Sequence, residues 1–194
     1  MSTGHDEAEA EAEAGADPGE EGVRVRLTTL EDMPALQQAL SPPDVWRALR
    51  FRGPPSLLLC RVTFRGGAVP TFLIHRVPGG EVIGFFIAYG RFAPEAVLEF
   101  DGGLTRGGDR GRGLGRKSLT QFMELMFGAQ RCRELYALVA QDNTPCIELL
   151  KVCGFTIRPP TMRVISREGP QIPSVEAVQT IREWRDWRVS QAGS

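Results

Sequence analysis

The chain has 194 residues, 23 basic and 24 acidic side chains, a net charge of −1, four cysteines and two histidines. That length supports one well-buried core and hardly two. No apolar run reaches the length of a membrane span, and the N-terminus carries no basic-then-apolar leader, so a soluble, cytoplasmic protein is expected. Cys60, Cys132, Cys146 and Cys153 lack Cys-x-x-Cys spacing and read as reduced thiols. With His5 and His75 the only histidines and no Gly-x-Ser-x-Gly elbow, neither a zinc site nor a Ser-His-Asp triad is expected.

Charge is unevenly spread. Residues 1–22 hold eight acids (Asp6, Glu7, Glu9, Glu11, Glu13, Asp17, Glu20 and Glu21) and no Lys or Arg. Like charges without large apolar residues predict a disordered acidic tail, despite the Glu-Ala repeat, and composition gives it no role beyond solubility. The remaining chain sets 16 acids against all 23 bases, a net +7, and is read as one domain over 23–190.

Val23, Val25 and Leu27 alternate with Arg24 and Arg26, which predicts an amphipathic strand. Thr28 to Asp32 reads as a helix start; Met33, Leu36 and Leu40 recur at helical spacing until Ser41-Pro42-Pro43 breaks the run. A short helix from Asp44 to about Arg50 carries Trp46 and Leu49. Residues 54–68 fit strand and helix equally. Two β-rich runs, 69–76 and 81–89, flank the hairpin signal Val77-Pro78-Gly79-Gly80, and a further strand is expected over 96–104. In 113–130, Leu119, Phe122, Met123, Met126 and Phe127 share one helical face. A strand over 134–141 precedes a helix whose apolar face is Cys146, Ile147, Leu150 and Cys153. Residues 156–165 offer one broken strand or a short hairpin. Val175, Val178, Ile181, Trp184 and Trp187 then line one face of an expected C-terminal helical extension over 170–190. Packing on its own sheet is the reading of that stripe, with a homodimer contact or a wall of the acceptor pocket as its other uses.

Chemistry concentrates in Arg110-Gly-Arg-Gly-Leu-Gly115, between the strand ending near Leu104 and the helix starting near Leu114. Glycines let backbone approach a ligand closely, and the following helix turns its unpaired N–H groups and positive dipole end into the same space. Strand, loop and helix N-terminus make an anion site suited to a diphosphate, with Arg110, Arg112 and Arg116 adding charge. The spacing fits neither a P-loop nor a dinucleotide fingerprint. Downstream, Asp142, Asn143 or Thr144 caps a helix with Pro145 in its first turn, and Gly154-Phe155 closes it.

These two motifs resemble the Arg/Gln-x-x-Gly-x-Gly/Ala loop (Arg110, Gly113, Gly115) and the Asn-containing strand-to-helix turn (Asn143) of the GNAT acyltransferase superfamily. The resemblance covers about residues 23–165, with the motifs confined to 104–155. It implies an α/β fold: a mixed, mostly antiparallel sheet flanked by helices and splayed at the strand before the loop, to which this sequence adds a C-terminal helix. It also implies acetyl-CoA as acyl donor. The diphosphate would rest on Arg110, Gly111, Arg112, Gly113, Leu114 and Gly115 beside Arg116, and the pantetheine would pair with Leu104 and Thr105. Asn143 would bind the amide-rich arm. Expected acceptors are an amine-bearing small molecule, a protein N-terminus or a lysine. Trp46 and Phe51 read first as core or lid aromatics, and the resemblance offers bordering the acceptor site as their other role. No metal, membrane or nucleic-acid partner is expected.

Catalytic positions depart from the commonest pattern. Many members place a Tyr seven residues after the Asn as general acid; here that residue is Leu150. The chain is closest in pattern to the ribosomal-protein N-terminal acetyltransferase subgroup, which has an aliphatic residue there and often Ser three residues after the Asn. That place is Cys146, which either protonates or orients the departing thiolate or is a buried structural thiol. The attacking amine must lose a proton, and Glu99 on the strand entering the loop is the first candidate base, with Asp101 on the same face the second. A solvated carboxylate, with rate supplied by positioning, is the alternative. Two rival readings are a non-catalytic CoA-binding protein, motivated by Leu150, and an RGG-like RNA-binding segment over 106–113, which lacks a repeated array and stacking aromatics.

Overall fold

The computed structural model describes residues 21–49, 53–64, 69–129, 131–164 and 171–193. The acidic tail up to residue 20, and Phe51, lie outside these residues. Strands β1 (Gly22–Leu27), β2 (Thr71–Val77), β3 (Val82–Tyr89), β4 (Val97–Leu104), β5 (Glu134–Ala140), β6 (Thr156–Ile157), β7 (Thr161–Val164) and β8 (Gln171–Thr180) form one sheet. Its order is β1-β2-β3-β4-β5-β8-β6, with β7 also on β8. Neighbours are antiparallel except β4 and β5, which run parallel.

One face carries α1 (Met33–Leu40), α2 (Pro43–Ala48) and α3 (Leu57–Thr63). There Met33, Leu36, Leu40 and Cys60 pack on Leu73, Phe85 and Ile87. The ambiguous stretch is therefore helical, started by Ser56, whose hydroxyl accepts from the Leu59 N–H at 3.1 Å. The first helix begins at Met33 rather than earlier, because Asp32 is held by other partners. Its carboxylate takes Arg26 at 2.6 and 2.7 Å and the Thr29 N–H at 2.7 Å, which keeps it well below the usual carboxylate range.

The opposite face carries α4 (Leu114–Met123, followed by a π-helical turn Glu124–Gly128), α5 (Thr144–Val152) and α6 (Ile181–Ala192). The rings of Phe72, Phe86 and Phe100 surround Phe122, with centroids 5.3, 4.6 and 5.4 Å away, so the expected apolar stripe of α4 is the centre of this core. Gln121 from the same helix donates to Val23 O at 2.7 Å and accepts from Val25 N at 2.9 Å. Its carboxamide thus pairs with the outer edge of β1 as a neighbouring strand would, blunting an otherwise open edge.

The C-terminus corrects the sequence reading. Residues 171–180 are a strand, not the first half of a helix, and the helix is confined to Ile181–Ala192. β8 pairs with the whole of β5 over Ser174–Thr180 and with β6 and β7 on its other side. Ser174, Val175, Ala177, Val178 and Gln179 are all buried, so the two-residue alternation that marks a half-exposed strand is lost. The three-residue spacing of Val175, Val178 and Ile181 matched a helix by coincidence. A better signal was Thr180 and Glu183, which form a capping box at the true helix start. The tryptophans pack internally: Trp184 is buried against Phe127 at 5.5 Å, and Trp187 donates to Val152 O at 3.2 Å. β6 and β7 lie in succession along one edge of β8, matching the broken strand expected after Phe155.

Candidate active site

The parallel ladder of β4 and β5 holds only Val97↔Glu134, Leu98↔Leu135 and Glu99↔Tyr136. β4 then runs on to Leu104 and β5 to Ala140, and the strands diverge around a cleft of about 610 Å³. One edge of β4 stays paired with β3, as far as Leu104 opposite Gly84. The other edge faces the opening, so its backbone groups are available to an amide-bearing ligand that lies along the strand as a substitute neighbour. Gly102 has φ +131°, and a Cβ there would stand 2.2 Å from Phe85 O. Only glycine fits this close approach of β4 to β3.

At the end of the cleft Gly113 is the N-cap of α4, with φ 78° and no side chain to cap the helix. The first-turn N–H groups of α4 thus face outward beside it. A Cβ on Gly111 or Gly113 would meet nothing within 4 Å, so the loop borders open space. Leu114 is buried and contributes to this rim through its backbone alone, while Gly115 packs against Leu149 and Leu104. Arg110 lines the cleft, 3.9 Å from Asp44. Arg112 pairs with Glu21 at 2.5 Å, and Arg116 donates to Gln191 of α6 at 2.5 Å. The 106–113 segment contains a one-turn 3₁₀ helix (Gly107–Asp109) with buried Asp109 bonded to Arg76 of β2, so it is a folded part of the domain.

Leu104 and Thr105 both line the cleft, although Thr105 directs its N–H to Ile83 O at 3.0 Å, away from the opening. Asn143 stands at the other wall as N-cap of α5; its oxygen accepts from the Cys146 N–H at 3.4 Å. Cys146 and Leu150 line the cleft one and two turns further along the helix. Burial first, and the charge of Asp101 second, push the Cys146 thiol up to about 11, so thiol and carboxylate stand within electrostatic reach across the opening. Asp101 lines the cleft; Glu99 lies one row deeper on the same face, where its carboxylate accepts from the Tyr136 hydroxyl at 3.1 Å. Trp46 sits half-buried on α2, beside the cleft-lining Asp44 and Val45. Sequence reasoning missed Asp44, Phe85, Tyr136, Arg76 and Asp109. Asp44, Phe85, Tyr136 and Arg76 come from parts of the chain distant from the loop, whereas Asp109 directly precedes Arg110 and was hinted at by an acid within a Gly/Arg loop.

The family profile of the acetyltransferase (GNAT) domain matches residues 23–156, more than half of the chain. The chain belongs to the GNAT acetyltransferase family. It is, by that family, an acetyltransferase. Among solved structures, aminoglycoside acetyltransferase AAC(6')-Ib with coenzyme A is similar at 21% identity, covering 86% of this chain and 99% of that one, with a TM-score of 0.66. A chimera of the spermidine N-acetyltransferase SpeG from Vibrio cholerae and hSSAT is similar at 14% identity, with coverages of 84% and 98% and a TM-score of 0.70. RimL, a ribosomal alpha-N-protein acetyltransferase, in complex with coenzyme A, is similar at 16% identity, with coverages of 84% and 96% and a TM-score of 0.69. At these identities the likeness establishes the GNAT fold. No curated protein sequence matches the chain. Among the described residues no helix is long and apolar enough to cross a membrane, and no group of three or more His, Cys, Asp or Glu could hold a metal ion.

Proposed function

We propose that this GNAT acetyltransferase binds acetyl-CoA along the open edge of β4 and transfers the acetyl group directly to a primary amine. The observation that carries the reading is the divergence of β4 and β5 after Glu99 and Tyr136, which opens a cleft ending at the Gly113 helix start. In this reading the diphosphate sits on the backbone of 110–115, with Arg110, Arg112 and Arg116 around it. The pantetheine lies against Gly102 to Leu104, and Asn143 meets its amides from the facing helix.

The acceptor amine enters from the α1–α2 side, where Asp101 accepts its proton as nitrogen attacks the thioester carbon. Glu99, braced by Tyr136, lies behind Asp101 and is the second candidate. Backbone N–H groups of the distorted β4 segment hold the carbonyl oxygen as charge develops. The thiol of Cys146 faces the departing sulfur. The acceptor class spans amine-bearing small molecules, protein N-termini and lysines, in keeping with the variety of acceptors named for the solved neighbours. The test is release of free CoA from acetyl-CoA against a panel of polyamines, aminoglycosides and peptides with free N-termini or lysines. Amine-dependent CoA release, absent when the amine is acetylated beforehand, supports the proposal; binding of acetyl-CoA without turnover across the panel refutes direct amine transfer.

A further inference from the structure

We infer that Arg76, Arg112 and Lys117 form a phosphate subsite beside the glycine loop, occupied in the free protein by the chain's own Glu21. The inference rests on reading 110–115 as the diphosphate loop and extends the donor site to residues outside that loop.

Three cations from three elements converge on one residue. Arg76 of β2 pairs with one carboxylate oxygen of Glu21, and Arg112 of the loop pairs with the other at 2.5 Å. Lys117, in the first turns of α4, donates to the Glu21 carbonyl at 3.0 Å. Arg76 is fixed from behind, because Asp109, only 4% exposed, takes its second guanidinium nitrogen. Glu81 approaches the same guanidinium at 3.5 Å. Glu21, by contrast, directly precedes β1 and belongs to no strand or helix.

The chemistry favours exchange. Guanidinium groups bind planar oxyanions in two-point geometry, and a phosphate carries more charge and more acceptor oxygens than a carboxylate. CoA brings two kinds of phosphate, the diphosphate and the ribose monoester. Arg112 is part of the loop that would receive the diphosphate, so Glu21 and the donor compete for the same guanidinium. Occupancy by Glu21 therefore lowers CoA affinity, and the competition weakens as salt screens both partners.

The experiment is calorimetric titration of the full chain with CoA and with dephospho-CoA, for wild type, Glu21→Gln and Glu21→Lys, at low and at high salt. The expected result is CoA binding about two- to fivefold tighter in Glu21→Gln and tighter again in Glu21→Lys, with the gain shrinking at high salt. A gain confined to CoA assigns the subsite to the monoester; an equal gain with dephospho-CoA assigns it to the diphosphate. Either supports the exchange. Unchanged or weaker CoA binding in Glu21→Gln overturns it. Failure of the underlying reading is separate, because there wild type would not bind CoA at all, or Gly113→Glu would bind as wild type does.

Discussion

Gly113→Glu separates the fold from the donor site. Gly113 holds φ 78°, where a side chain costs about 1–2 kcal/mol. A carboxylate at a helix N-terminus returns about 0.3–1 kcal/mol through the macrodipole. The net loss of about 1 kcal/mol lowers Tm by roughly 2–4 °C in a domain of this size. The Cβ itself meets nothing within 4 Å, so no neighbouring atom has to move. Binding behaves differently, since the open space is where the diphosphate would lie. A carboxylate about 4 Å from one phosphate charge is repelled by roughly 4 kcal/mol at the effective dielectric of a protein surface. Affinity for acetyl-CoA and CoA should fall more than about 100-fold, while thermal unfolding stays cooperative. Gly113→Ala, which carries the strain without the charge, should show a comparable Tm change and a much smaller loss of binding. Calorimetry and thermal denaturation on the same samples make the test. CoA affinity within tenfold of wild type would refute the placement of the diphosphate.

Asp101→Asn should lower kcat by about 10²–10³ with little change in KM for acetyl-CoA, and Glu99→Gln should have the smaller effect; steady-state kinetics with the reverse ranking would make Glu99 the base. Burial holds the thiols of Cys132 at about 12 and of Cys146 and Cys153 at about 11 against an ordinary 9.0. The unfolded chain therefore binds fewer of these protons between about pH 9 and 11, so stability falls as pH rises through that window; Cys146→Ser should flatten the decline of Tm, and an unchanged slope would contradict the raised Cys146 thiol. Gln121→Leu removes both hydrogen bonds to the β1 edge, which should cost about 1–3 kcal/mol in chemical denaturation and produce concentration-dependent self-association in light scattering.

What the sequence revealed depended on the distance over which each signal acts. Elements with one buried face kept their period, so β1, α4 and α5 were readable, as were the caps, where local hydrogen bonding selects the residue. β8 was not readable, because it lies within the sheet and buries residues on both faces. The loop and Asn143 were visible as motifs. Their relation to Asp101 was hidden, since it depends on where the β4–β5 ladder ends. Nor could the sequence rank Asp101 above Glu99: alternation puts both on one face, and the divergence of the strands decides which of them lines the cleft.

That geometry also constrains how the thiolate leaves. Leu150, 2% exposed, fills the family's tyrosine position and has no proton to give. Cys146 lines the cleft on α5, but burial and the Asp101 charge push its thiol up to about 11, so giving its proton up entirely is costly. A hydrogen bond from Cys146 to the thiolate has no such cost. The proton that finally rests on CoA is then best supplied by the acceptor ammonium, taken up by Asp101 on the opposite wall of the same cleft. Burial first and the Asp101 charge second raise the Cys146 thiol; under the proposed mechanism that thiol would hydrogen-bond the departing sulfur beside the carboxylate. Under the proposed mechanism Leu150 would keep water from that wall of the cleft, and Asp101 and Cys146, which both line it, would work as a facing pair in place of a single phenol.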